Sequence, residues 1–134
     1  MPAEVRRKLE VHPNVISIGF ADDPEIAYRS MDVLSFPSYR EGFPNAPLEA
    51  ASSGLPVAGY AATGTVDAVV DGRTGTLGTV GNRDALVAAL IGYLDDPELC
   101  VRHGWAGRGR AERVFRRELV WQRWIEFYRG LLIE

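Results

Sequence analysis

Residues 33–60 read VLSFPSYREGFPNAPLEAASSGLPVAGY, and the change of texture along them decides the fold. Val33 to Phe36 is a short, mostly apolar run of the kind buried on both faces of a parallel sheet. A loop follows from Pro37 to Arg40, and a helix is expected from about Pro47 to Ser53, stopped by Gly54 and Pro56. The apolar run Val57 to Tyr60 comes at once after it. A strand, a helix and a second strand with short joins form a right-handed crossover, and that places both strands in a parallel sheet.

The same alternation extends outward in both directions. Upstream, residues 3–10 form a charged amphipathic helix candidate, Val15 to Ile18 reads as a strand closed by Gly19, and Asp23 caps a helix that begins at Pro24 and ends near Met31. Downstream, a Gly- and Thr-rich loop from Ala61 to Thr65 leads to a brief helix (Val66 to Val70), a turn at Asp71-Gly72 and a strand from Gly75 to Leu77. About four parallel strands flanked by helices are therefore expected, an α/β, Rossmann-like sheet. From about residue 82 to 134 the chain turns helical. Leu86, Leu90 and Leu94 recur at intervals of four, a helix starts at Pro97, and Gly104, Gly107 and Gly109 predict a break in its middle. The last helix, about Arg117 to Leu132, gathers Val120, Trp121, Trp124, Phe127, Tyr128 and Leu131 on one side. A stripe at helical period is expected to be packed, although its large rings also suit a docking surface.

Within residues 41–49, EGFPNAPLE, two glutamates lie eight positions apart around a helix start. Glu41 belongs to the loop and Glu49 to the first turns of the helix, so both carboxylates approach one helix N-terminus. Gly42, Phe43, Asn45 and Ala46 keep backbone N–H groups that can point at a ligand, whereas Pro44 and Pro47 have none. Exposed amides at the positive end of a helix favour phosphate. Carboxylates repel phosphate and accept hydrogen bonds from sugar hydroxyls. A ligand carrying both groups, such as a nucleotide-sugar, satisfies the pair; the simpler alternative is that Glu49 only caps its own helix.

Composition narrows the field without naming a function. The 134 residues make one domain's length, with 46% hydrophobic and 25% charged residues, the balance of a soluble globular protein. A formal net charge of −3 argues against a nucleic-acid binder held by bulk charge. Eight Arg against four Glu from Arg102 onward make the C-terminal tract basic. Such a tract can touch anionic lipid or phosphate, or simply form a solvated helix face. One cysteine, Cys100, excludes an intrachain disulfide and makes a cytoplasmic setting the expectation; its thiol reads as buried and inert. With His12 and His103 far apart, no zinc-type spacing exists and no metal is expected. Both histidines read as structural. No apolar run is long enough to span a membrane.

The string PSYREGFPNAPLEAASSGLPVAGYAATGTVDAVVDGRTGTL, residues 37–77, resembles the nucleotide-sugar-binding half of family 4 (group 1) glycosyltransferases of the GT-B architecture. HPNVISIGFADDPEIAYRSMDV, residues 12–33, and NRDALVAALIGYLDDPEL, residues 82–99, are similar to its flanking segments, so nearly the whole chain is covered. TGTVDAVVDGRTG is closest to bacterial members that build surface polysaccharides on lipid carriers. The resemblance implies that Glu41 lies by the donor sugar in the catalytic site. It places Gly42, Phe43, Asn45 and Ala46 among the donor-binding groups, and the ribose hydroxyls on Glu49. It implies a UDP- or GDP-sugar donor, no metal or other cofactor, retention of anomeric configuration, and a glycan or lipid-linked acceptor. Peripheral association with the inner membrane face fits such an acceptor.

Two departures qualify this. The family's Gly-Gly-x-x-Glu segment stands here as Thr63-Gly64-Thr65-Val66-Asp67, which alters the loop by the donor. The family's N-terminal domain, its catalytic-site histidine and the opening strands of its C-terminal domain, with their Arg/Lys pair, are not found ahead of the motif, and His12 does not sit in the corresponding segment. Residues 1–134 are thus expected to form a partial C-terminal donor-binding domain with little transferase activity alone. It would be completed by the N-terminal half, or would act as the non-catalytic, partner-dependent subunit of a split enzyme. A homodimer through the edge strand Val15 to Ile18 is a further expectation. A nucleotide-sugar epimerase on the same architecture would carry other acidic and histidine motifs.

Overall fold

The computed structural model describes residues 2–132. Helices α1 (Ala3–Val11) and α2 (Pro24–Arg29) precede strand β1 (Leu34–Phe36), helix α3 (Asn45–Ser52) and strand β2 (Val57–Tyr60). Helix α4 (Thr65–Ala68), strand β3 (Gly75–Gly78) and helices α5 (Arg83–Asp95), α6 (Pro97–Val114) and α7 (Arg117–Leu131) complete the order. The three strands form one parallel sheet in the order β1-β2-β3, with Leu34 opposite Val57 and Val57 opposite Gly75. The fold is α/β, as the strand-helix-strand reading of residues 33–60 requires.

Every residue of β2 is buried, because the central strand of a parallel sheet is covered on both faces. Successive side chains point to opposite faces. Ala58 and Tyr60 pack with Leu86 and Tyr93 of α5, and Val57 packs with Ala68 and Val69 on the other side. A third cluster joins Tyr28 of α2, Ala50 of α3 and Leu55, with Leu34 against it. Under the α5 side, Tyr93 Oη is hydrogen-bonded to His103 Nδ1 at 2.8 Å and to Thr76 Oγ1 at 3.0 Å. Burial, and then the charge of Arg102, hold the His103 ring below its ordinary pKa, so the histidine is a neutral structural group. Cys100 is half-buried, its thiol donating to the Asp32 carbonyl, and burial raises its pKa.

Local signals place several termini. Asp23 Oδ1 accepts from Glu25 N–H at 3.0 Å, the expected N-cap of α2. Gly54 stops α3 with φ +81, and Leu55 N–H returns to the Ala50 carbonyl.

Three expectations are corrected. Val15 to Ile18 is not a strand: Val15, Ile16 and Ile18 are exposed and have no sheet partner among the described residues, whose sheet has three strands with β1 as the edge on that side. An apolar run carries the same signal whether or not a neighbouring strand is there to pair with it. The break expected in α6 is absent, since the helix is continuous through Gly104, Gly107 and Gly109. A Cβ on Gly104 would lie 2.0 Å from the Gly54 carbonyl oxygen, and one on Gly107 would lie 3.4 Å from Ala51 Cβ. Two of the glycines therefore let α6 lie close on the C-terminal end of α3. Finally, the aromatic stripe of α7 is not packed into the core, for no residue of that helix is buried. Its rings contact one another instead, Trp124 stacking on Tyr128 with centroids 5.8 Å apart. Periodicity shows that a helix has an apolar face and is silent about what covers it.

Candidate functional site

The loop between β1 and α3 is fixed from three directions. Ser38 Oγ donates to Glu41 Oε1 at 2.6 Å, and Glu41 N–H donates to the Thr63 carbonyl at 3.2 Å. Gly64, at φ +80, lets its own backbone approach so closely that a Cβ there would lie 2.3 Å from the Gly42 carbonyl oxygen. The altered segment Thr63-Gly64-Thr65 thus keeps glycine where the two loops touch. Phe43 is partly exposed and meets Phe115 at a centroid distance of 5.4 Å.

Helix α3 begins at Asn45 without a side-chain cap. Among the described residues, the N–H groups of Gly42, Phe43, Asn45 and Ala46 donate to no backbone carbonyl. They are the free amides read from the sequence, and they stand at the positive end of a helix. Glu49 lies one turn further on. Tyr28 Oη donates to Glu49 Oε2 at 2.9 Å, while Oε1 has no hydrogen-bond partner among the described residues. The Tyr28 hydroxyl is pushed up to about 12 by burial, then by the hydrogen bond and charge of Glu49.

Glu49 and Asn45 face an open groove of about 1010 Å³ formed by α2, α3 and the end of α6. Arg29, Arg108, Arg116 and Arg117 also line it. Arg29 pairs with Glu25 at 2.6 Å, Arg108 with Glu112 at 3.1 Å and Arg116 with Glu118 at 3.2 Å, all at exposed positions. Exposed pairs of this kind are worth little, so these guanidiniums can turn to an anionic ligand at small cost. Glu41, Gly42, Phe43 and Ala46 lie outside that lining. The two carboxylates therefore do not line that groove together.

Several residues around the two glutamates escape a sequence reading. Tyr28 reaches Glu49 across 21 positions, and Ser38 reaches Glu41 through the curl of a loop. The C-terminal arginines read equally well as a solvated helix face, yet Arg108, Arg116 and Arg117 come round to α3. Their excess over Glu was the one available signal.

The loop that leads from β1 to α3 thus carries Glu41 and the free amides, Glu49 follows one turn into the helix, and a groove lined by four arginines opens beside it. The chain belongs to the family of glycosyl transferases group 1, whose model matches residues 4–110. It is 34% identical over 126 residues to the capsular polysaccharide biosynthesis glycosyltransferase CapM of Staphylococcus aureus, covering 94% of this chain and 33% of that protein. Over 90 residues it is also 34% identical to the lipopolysaccharide core biosynthesis mannosyltransferase LpcC of Rhizobium leguminosarum bv. viciae, covering 67% of this chain and 26% of that one. It thus spans about a third or less of the length of these relatives. Among solved structures, sucrose-phosphate synthase from Thermosynechococcus elongatus superposes with a TM-score of 0.88 at 28% identity, covering 97% of this chain and 35% of that one. The C-terminal domain of the group 1 glycosyl transferase LpcC from Francisella tularensis gives 0.74 at 25% identity, covering 85% and 62%. The GT-B fold expectation is met, and no described helix is long and apolar enough to cross a membrane.

Proposed function

We propose that residues 1–134 form the donor-binding part of a retaining glycosyltransferase, which binds a UDP- or GDP-sugar and presents the sugar for transfer to a glycan or lipid-linked acceptor. The observation that carries this reading is the state of Glu49. One carboxylate oxygen is held by Tyr28, the other has no hydrogen-bond partner among the described residues, and Glu49 lines a groove with Asn45, whose amide is free at the helix N-terminus, and with arginines. Ribose hydroxyls donate to the open Glu49 oxygen. The diphosphate lies toward the amides of Asn45 and Ala46, where helix dipole and guanidiniums stabilise the charge that grows on it as the glycosidic bond breaks. Glu41, oriented by Ser38, takes the sugar hydroxyls beside Gly42 and Phe43. The acceptor and the rest of the cleft belong to the remaining length that the relatives have, so the chain alone turns over little donor.

The test is UDP and GDP titration by calorimetry. Replacing Glu49 by Ala is expected to weaken nucleotide binding by roughly 1–3 kcal/mol, about 5- to 150-fold, the scale for losing hydrogen bonds to a charged acceptor. Tyr28→Phe, which loosens the carboxylate without removing it, is expected to cost less affinity. Unchanged nucleotide affinity in Glu49→Ala with a lowered melting temperature would mean that Glu49 serves only to anchor α2 on α3.

A further inference from the structure

A second cavity, about 210 Å³, opens between residues 70–74 and the C-terminal half of α6, away from the groove of Glu49. Arg73, Arg110 and Arg113 line it together with Thr74, Val70 and Val114, and among the described residues no carboxylate does. We propose that this cavity is an anion site that takes a phosphate group.

The state of Arg110 is the first support. Its Nη2 donates to the Asp67 carbonyl at 2.9 Å and its guanidinium lies over the Phe115 ring at 4.7 Å, while Nη1 is buried with no hydrogen-bond partner among the described residues. A buried donor left unmade is costly, more so on a charged group. Fixing α6 against α4 accounts for Nη2 and for the stacking. It does not account for Nη1, nor for two further guanidiniums at the same cavity.

The charge balance is the second support. Among the described residues none of Arg73, Arg110 and Arg113 makes an ion pair, whereas Arg29, Arg108 and Arg116 each do. Three like charges around one small cavity repel. An oxyanion relieves both conditions at once, accepting from several N–H groups and neutralising the cluster. Guanidinium forks match phosphate oxygens in geometry. The volume is several times the roughly 30 Å³ that one water occupies in the liquid, room for a compact tetrahedral anion. This site shares no lining residue with the groove of Glu49 and stands whether or not that groove binds a nucleotide-sugar.

Arg73 and Arg113 are exposed and can be changed without disturbing the Arg110 contacts, so the double variant Arg73→Gln/Arg113→Gln is the informative one. Inorganic phosphate is titrated into the full chain and followed by amide NMR, with chloride at matched ionic strength as reference and Arg123→Gln/Arg129→Gln on α7 as the charge-matched control. Saturable shifts centred on Thr74 and Arg110, weakened about tenfold or more in the Arg73→Gln/Arg113→Gln variant and unchanged in Arg123→Gln/Arg129→Gln, are expected for loss of two charge-assisted contacts. Vesicles containing phosphatidic acid separate the sources. Vesicle binding that free phosphate displaces and the Arg73→Gln/Arg113→Gln variant abolishes identifies a lipid headgroup; saturable phosphate binding without vesicle binding identifies a free phosphate. The proposal is overturned if neither probe binds saturably, if chloride produces the same shifts, or if the Arg73→Gln/Arg113→Gln variant binds as well as the parent. It is equally overturned if phosphate binding is lost in Glu49→Ala, which would move the anion to the other groove.

Discussion

Of the two Glu49 oxygens one is held by Tyr28 and the other has no hydrogen-bond partner among the described residues, and the titration of Tyr28 makes the first contact measurable. With its pKa pushed up to about 12 against an ordinary 10.0, the Tyr28 hydroxyl keeps its proton in the folded chain at a pH where the unfolded chain has released it. The folded state then binds more protons than the unfolded one. Stability from this group is complete below pH 10 and is lost as pH rises through 12. Urea midpoints measured below and above pH 10 are expected to fall with pH, and Tyr28→Phe is expected to reduce that fall. It does not abolish the fall, because burial raises Tyr93 as well. An equal slope in the variant would show that the Tyr28–Glu49 contact does not hold the proton. At this scale the sequence is legible where chemistry sits within a few positions: EGFPNAPLE displays both glutamates and the free amides around them. Tyr28 and Ser38 could not be read, since a tyrosine beside an arginine in AYRS has no local feature that aims it at Glu49. Only the packing of α2 on α3 does that.

Helix α6 shows how one residue type carries opposite meanings in different surroundings. Glycine weakens an isolated helix by about 1 kcal/mol relative to alanine, which is why a break was expected around Gly104. In the fold the same residue is required, because any Cβ at 104 meets the Gly54 carbonyl. Gly104→Ala is expected to destabilise the chain by about 1–3 kcal/mol, the range for overpacking, as read from urea unfolding. Gly130→Ala on α7, where a Cβ meets nothing within 4 Å, is expected to stabilise by about 0.5–1 kcal/mol. If both substitutions stabilise, α6 does not lie on α3 as closely as described. Caps and stops such as Asp23 and Gly54 are readable because their hydrogen bonds close within a few residues. Strand status is different in kind: VISI at residues 15–18 and VLSF at 33–36 have the same texture, and only the second finds β2 beside it.

For the molecule as a whole, the consequence of a three-stranded sheet is a shortage of surface on which to bury apolar helices. Helices α3, α4 and α5 cover β2, α6 closes over α3, and α7 is left with no face of the core to join. The residues that would report this are all outside: Trp105, Trp121 and Trp124, the chain's three tryptophans, are 67%, 58% and 54% exposed. Tryptophan fluorescence of the dilute chain is therefore expected to be that of water-exposed indole and to shift little on unfolding in urea, while far-UV circular dichroism passes through a cooperative transition. Iodide is expected to quench all three rings. The stacking of Trp124 on Tyr128 leaves the outer face of the stripe free, so it does not alter this. A large red shift that coincides with the circular dichroism transition would place α7 against a surface in solution. A concentration-dependent shift would make that surface a second copy of the chain, and a concentration-independent one would mean that α7 folds back on its own domain. In either case the helix would have found the cover that its 3.6-residue pattern demands and that the three-stranded core does not supply.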